Sequence, residues 1–170
     1  NTFNIIIDTE APIVTISATD GYYKANDSIS IILTFDDNVV ATNAKLNLSN
    51  NAETDSVTTT ASSITFTYIV QQSDTNTTNL SISSYDGEIK DLAGNNAVPI
   101  SDSLGSVIID TTVPSLTQVT SISTPSNDTT PSFVFTTSKS GTLTTNISES
   151  FSTSSSVTTG SDQTITFNIL

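Results

Sequence analysis

Apolar and polar residues alternate with period two through Ile29–Phe35, Lys45–Leu48 and Ile64–Val70. Such alternation sets one face of an extended strand against a core and the other in water, and the Thr, Ile, Val and Phe that crowd these runs suit a pleated, half-buried surface. No window sustains apolar positions at i, i+3, i+4 and i+7, so the pattern predicts no helix and an all-β chain. Strands are expected near Ile13–Ser17, Ile29–Phe35, Ala44–Ser49, Ser56–Ala61, Ile64–Gln71, Asn79–Tyr85 with a continuation to Ile89, and Ser106–Ile109. Further on they are expected near Leu116–Ile122, Ser132–Thr136, Thr142–Ile147 and Thr164–Ile169.

The chain repeats itself. Ile7-Asp8-Thr9-Glu10-Ala11-Pro12 recurs as Ile109-Asp110-Thr111-Thr112-Val113-Pro114, 102 residues further on, with an Ile/Val run before each copy. That period suits one antiparallel sandwich of about 100 residues, and seven strands is the immunoglobulin-type number. Each copy reads as the last strand of one domain, a short polar hinge, and a proline that blocks helix continuation and ladder pairing. The expected fold is therefore all-β, with tandem immunoglobulin-like antiparallel β-sandwiches, the last one incomplete. Residues 1–9 are the final strand of a preceding unit with its hinge, 10–110 a complete sandwich, and 111–170 a partial second one. A partial sandwich exposes unpaired edges and an open core, so it calls for a donated strand, a continuing chain or a shortened topology. The opening residues show neither the charged nor the apolar region of a signal peptide, as an interior fragment or a processed subunit would.

Composition narrows the chemistry. Cys, Met, Trp, His and Arg are absent among the 170 residues, which removes thiol and histidine catalysis. Paired carboxylates such as Asp36 and Asp37 are sequence neighbours and cannot flank a substrate as the two opposed carboxyls of a glycosidase must, so no enzyme is expected. The net charge of −13 excludes the basic patch that nucleic acid or an anionic membrane surface requires, and no run is long enough for a membrane helix. Cations are the natural partners.

Several segments together resemble the immunoglobulin-like repeats of large bacterial surface adhesins, the biofilm-associated and repeats-in-toxin adhesin type. They are Asp8-Thr9-Glu10-Ala11-Pro12 and its copy at Asp110–Pro114, Gly21-Tyr22-Tyr23-Lys24-Ala25-Asn26-Asp27-Ser28-Ile29, and Lys90-Asp91-Leu92-Ala93-Gly94-Asn95-Asn96. Asn127-Asp128-Thr129-Thr130-Pro131 and Gly141-Thr142-Leu143 resemble a sister subtype. The resemblance implies a secreted, extracellular array on the cell surface that holds a terminal adhesive module away from the cell, with Ca²⁺ stiffening the hinges. Where family members often carry Phe-Ser-Glu, this chain has Phe35-Asp36-Asp37.

If consecutive strands run up and down, the end where the chain comes in gathers Asp8 and Glu10 of the hinge, Asp36 and Asp37 of one loop, and Asp91 with the Asn95 carboxamide of another. Calcium takes six to eight oxygens at about 2.3–2.6 Å, and it relieves the repulsion among clustered carboxylates. A second site is expected at the outgoing end, where Asp110 would meet Asp20 and Asp27. The alternatives are ordinary: Asp91–Asn95 as an Asx turn, Asp36 and Asp37 as a solvated loop, and Asp20 and Asp27 as turn formers. Asp74, Asp86 and Asp102 read as solubilising charge. The Asn-X-Ser/Thr triplets at Asn26, Asn47, Asn76, Asn79, Asn127 and Asn146 are expected by chance in so Asn-, Ser- and Thr-rich a chain.

The function expected is a stalk or spacer whose partners are neighbouring repeats of the same or another chain. The competing reading is a fibre or surface-layer subunit forming a homo-polymer by strand donation, in which Phe3–Ile7 of one chain completes the open unit of another. A glycan- or ice-binding module ranks below both, because Thr58–Thr60 and Thr144–Thr145 do not recur at a fixed spacing and Tyr22, Tyr23, Tyr68 and Tyr85 suit a core better than a sugar platform.

Overall fold

The computed structural model describes residues 7–98, 100–122, 127–144 and 155–167. Within these the chain is all-β, with no helix, and it divides between Thr112 and Val113 into two compact units. Most of the terminal strand expected at Phe3–Ile7 and half of that expected at Thr142–Ile147 lie outside the described residues.

In the first unit the strands are β1 (Val14–Ala18), β2 (Gly21–Tyr23), β3 (Ser28–Leu48), β4 (Val57–Ile69), β5 (Ser81–Asp91), β6 (Asp102–Ser103) and β7 (Val107–Ile109). β3 carries β1 and β4 on its first half, then β4 and β5 on its second; β6 adds to β5. β2 and β7 form a short parallel pair. The two strands expected at Ile29–Phe35 and Ala44–Ser49 are thus one strand of 21 residues, and Asp36 and Asp37 lie within it rather than on a loop. Likewise β4 joins the runs expected at Ser56–Ala61 and Ile64–Gln71.

A straight strand of that length would span about 70 Å, far beyond one small domain, so β3 must bend. Its irregularities do the bending. Pairing with β4 shifts between Thr34 and Val39 and again between Ala41 and Ala44, and the buried positions change phase from Ile29, Ile31, Leu33, Phe35, Val39 and Ala41 to Ala44, Leu46 and Leu48. At the second shift Asn43 takes a left-handed φ of 47° opposite Gly87 at φ 81°. This extra residue flips the side-chain alternation, which keeps both halves of β3 facing one core. That core gathers Ile29, Ile31, Leu33 and Leu46 with Ile64, Phe66, Tyr68, Leu80, Ile82, Ile89, Val107 and Ile109.

The second unit contains β8 (Leu116–Thr120), β9 (Ser132–Thr137), β10 (Gly141–Thr142), β11 (Ser156–Val157) and β12 (Gln163–Thr166). β9 lies between β8 and β12, all antiparallel, and β10 pairs with β11. Its buried core consists of Phe135, Val157 and Ile165, flanked by Phe133, Leu143 and Phe167. Shifted by the 102-residue period, β1 falls on β8 residue for residue, and β9 starts two residues later than the shifted β3. The strand order β8–β9–β12 also repeats β1–β3–β4 of the first unit.

Candidate hinge sites

The two copies of the hinge motif close the same local turn. Glu10 N–H donates to Asp8 Oδ1 at 3.1 Å, and Thr112 N–H donates to Asp110 Oδ1 at 3.1 Å. An aspartate that takes the amide two residues on is an Asx turn, which fixes the chain direction without help from a sheet. Each turn is then held by an asparagine from elsewhere in the first unit.

At the leading hinge the holder is Asn95. Its carboxamide nitrogen donates to the Asp8 carbonyl at 3.2 Å and to Asp91 Oδ2 at 2.8 Å. Asp91 closes its own turn by accepting Gly94 N–H at 2.7 Å and Asn95 N–H at 2.8 Å through Oδ1, with Gly94 at φ 99°. Asp91 as a residue is only 6% exposed. Burial pushes its pKa up, but hydrogen bonds from the Asn95 side chain and from the N–H groups of Asn95, Gly94 and Ala93 outweigh burial and hold it below 3.8. Asp36 accepts Ile13 N–H at 2.9 Å and returns its own N–H to the Ile13 carbonyl at 3.1 Å, which extends the β1–β3 ladder toward the hinge. Asp37 accepts Asn38 N–H at 2.6 Å.

At the trailing hinge the holder is Asn76. Its Nδ2 donates to Asp110 Oδ1 at 3.1 Å and to Thr112 Oγ1 at 2.8 Å, while its Oδ1 accepts Thr111 N–H at 2.9 Å and Thr111 Oγ1 at 3.0 Å. Gln72 Nε2 donates to the Thr111 carbonyl at 2.7 Å. Thr111 Oγ1 also reaches the Asp74 carbonyl at 3.3 Å. Asp74 Oδ2 in turn accepts Tyr68 O–H at 2.6 Å and Gln71 N–H at 2.7 Å, and buried Asn50 donates to the same phenol at 2.8 Å.

These positions correct the sequence reading in three places. Asp74 is not a solubilising charge, since it joins the core phenol of Tyr68 to the loop that holds the hinge. Asp20 does not meet Asp110: it accepts Ser106 N–H at 2.8 Å at the start of the β2–β7 pair, whereas Asp110 follows the end of β7. Four residues of strand separate Ser106 from Asp110, roughly 13 Å. Asp27 is taken by Lys24, whose Nζ lies 2.7 Å from Oδ1 and whose N–H lies 2.9 Å from Oδ2; that side-chain hydrogen bond lowers its pKa. Asn76, the central hinge contact, reads in the sequence only as part of a chance Asn-X-Ser/Thr triplet, because its role arises from a fold-back across 34 positions that no local pattern displays.

For a cation, the donors fit in kind and only partly in placement. All are hard oxygens, and Asp8 and Asp91 are tied to the same Asn95, but Asp8, Asp36 and Asp37 each commit an oxygen to a backbone amide and Asp91 commits both of its oxygens. Among the described residues no group of three or more His, Cys, Asp or Glu side chains could hold a metal ion. Among the described residues no helix is long and apolar enough to cross a membrane. The chain matches no family model, no curated protein and no solved structure.

Proposed function

We propose that the chain is a structural segment of a cell-surface stalk, built from tandem immunoglobulin-like β-sandwiches whose hinges set how successive units follow one another. The observation that carries this is the double repetition at 102 residues: the same Asx turn at Asp8 and Asp110, followed by the same first strand in the same sheet order. A repeated joint followed by a repeated sheet suits a molecule whose work is reach rather than recognition. Cleavage between the units gives the direct test: residues 7–112 should fold cooperatively alone, and failure to do so would remove the unit on which a tandem array depends.

Calcium belongs to the proposal at the leading hinge, where Asp8, Asp91 and Asn95 already meet and Glu10, Asp36 and Asp37 are close in sequence or sheet order. Bound there, it would neutralise the carboxylates and tie the hinge to the end of the sheet. At the trailing hinge Asp110 remains a candidate ligand; Asp20 and Asp27 are employed elsewhere. A second reading, completion of the second unit by a strand from another copy, is favoured by the exposure of Val113, Leu116 and Val119 beside a core that, among the described residues, buries Phe135, Val157 and Ile165. Concentration-dependent polymers in light scattering would select it.

A further inference from the structure

The trailing hinge contains a second device, which would serve the stalk proposed above but stands on the first unit alone. We infer that residues 110–112 are locked by a hydrogen-bonded latch centred on Asn76 and anchored in the core through Asp74 and Tyr68, so that this hinge keeps its conformation without any bound cation.

One carboxamide meets all three hinge residues. Asn76 engages Asp110 and Thr112 as donor and Thr111 as acceptor, so donor and acceptor halves of the same planar group are both used. The hinge is not peripheral, for Thr111 is buried at 8% exposure. Behind Asn76, the ladder bonds between Thr77 and Ile109, at 3.0 and 2.8 Å, fix the backbone on which the carboxamide sits. Behind Asp74, the Tyr68 phenol belongs to a side chain that is 1% exposed, so the loop from Gln71 to Asn76 is fastened to the core at one end and to the hinge at the other. A neutral carboxamide beside Asp110 also does what a cation would otherwise do: it supplies positive N–H dipoles to the carboxylate without adding a like charge.

The leading hinge lacks this arrangement. Asn95 reaches Asp8 through a single bond to its backbone carbonyl, and its other donor bond goes to Asp91 rather than to the hinge. The two ends of the first unit would then differ, one sensitive to cations and one preset.

Amide hydrogen exchange by NMR on the full chain in chelator tests the latch, with Ile31 in the core as internal reference. In the unsubstituted protein Thr111 and Thr112 amides are expected to be protected in chelator. Asn76→Ala should speed exchange at both by roughly ten-fold or more, as expected when several net-favourable hydrogen bonds are lost, while Ile31 stays unchanged. Asn76→Asp keeps the acceptor half and the side-chain shape but sets a carboxylate against Asp110; Thr111 should stay protected and Thr112 should lose protection. Random-coil exchange of Thr111 in unsubstituted protein, or unchanged Thr112 exchange in either variant, would overturn the latch. Because exchange at these amides is read within the first unit, its outcome does not depend on whether the whole particle is elongated.

Discussion

Gly87 faces Asn43 across the β3–β5 ladder so closely that a Cβ on Gly87 would come within 2.3 Å of the Asn43 carbonyl oxygen. Gly87 also sits at φ 81°, where an L side chain is strained whatever the space. Gly87→Ala should therefore destabilise the first unit by about 2–4 kcal/mol, combining left-handed backbone strain with overpacking at the bulge. Urea denaturation measures this directly, and a loss under about 0.5 kcal/mol, the usual range for an uninvolved surface site, would mean the bulge does not set the bend.

Tyr68 joins the core to the trailing hinge. Burial first, and then the hydrogen bond to Asp74, push its phenol well above the ordinary 10.0. A raised pKa contributes stability that is complete below the unfolded value and is lost as pH climbs above it toward the folded value. The protein should therefore weaken above about pH 10, and Tyr68→Phe should weaken less steeply there. At neutral pH the same substitution should cost about 1–3 kcal/mol, because it strips a partner from Asp74 and from buried Asn50. Parallel alkaline slopes in the two proteins would show that the phenol is not the titrating group.

Asp91 gives the opposite sign. Its pKa is held below 3.8, so its contribution is present above that value and disappears as pH falls through the depressed folded value. The stability advantage of the unsubstituted protein over Asp91→Asn should shrink as pH is lowered from 5 toward 3. An advantage that stays constant over that range would place the effect in shape rather than charge.

Calcium binding at the leading hinge should raise the melting temperature at roughly 10⁻⁴–10⁻³ M Ca²⁺, with Mg²⁺ a poor substitute. Asp8→Ala should remove that rise. Asp91→Ala should remove it as well, but it should also lower the metal-free melting temperature, since Asp91 closes the turn that presents Asn95 to Asp8. Asp86→Ala, on an exposed carboxylate 3.8 Å from Lys45, is the control that should do neither. An equal response from all three would indicate diffuse screening.

What the sequence displayed was what has a period. Alternation located β1, β5, β7, β8, β9 and β12 to within a few residues, and the motif at Asp8 and Asp110 showed where one unit follows another. Alternation could not show that Ile29–Phe35 and Ala44–Ser49 belong to one strand: polar Asp36, Asp37 and Asn38 look like a loop until β4 is paired on both sides of them. Hydrogen bonding by Asn76 and Asp74 was hidden for a related reason. Neither residue differs locally from the many Asn and Asp of a chain this polar: Asn76 acquires its partners only when β7 returns beside the loop that follows β4, and Asp74 only when that loop folds back on Tyr68.

Small-angle scattering of the whole chain in 1 mM Ca²⁺ tests the stalk most directly. A single compact body of 170 residues would have a radius of gyration of about 15–16 Å. Two sandwich-type units joined by a preset hinge should give a clearly larger value, with a two-body distance distribution that stays the same when calcium is chelated. A radius of gyration near the compact figure would contradict the stalk.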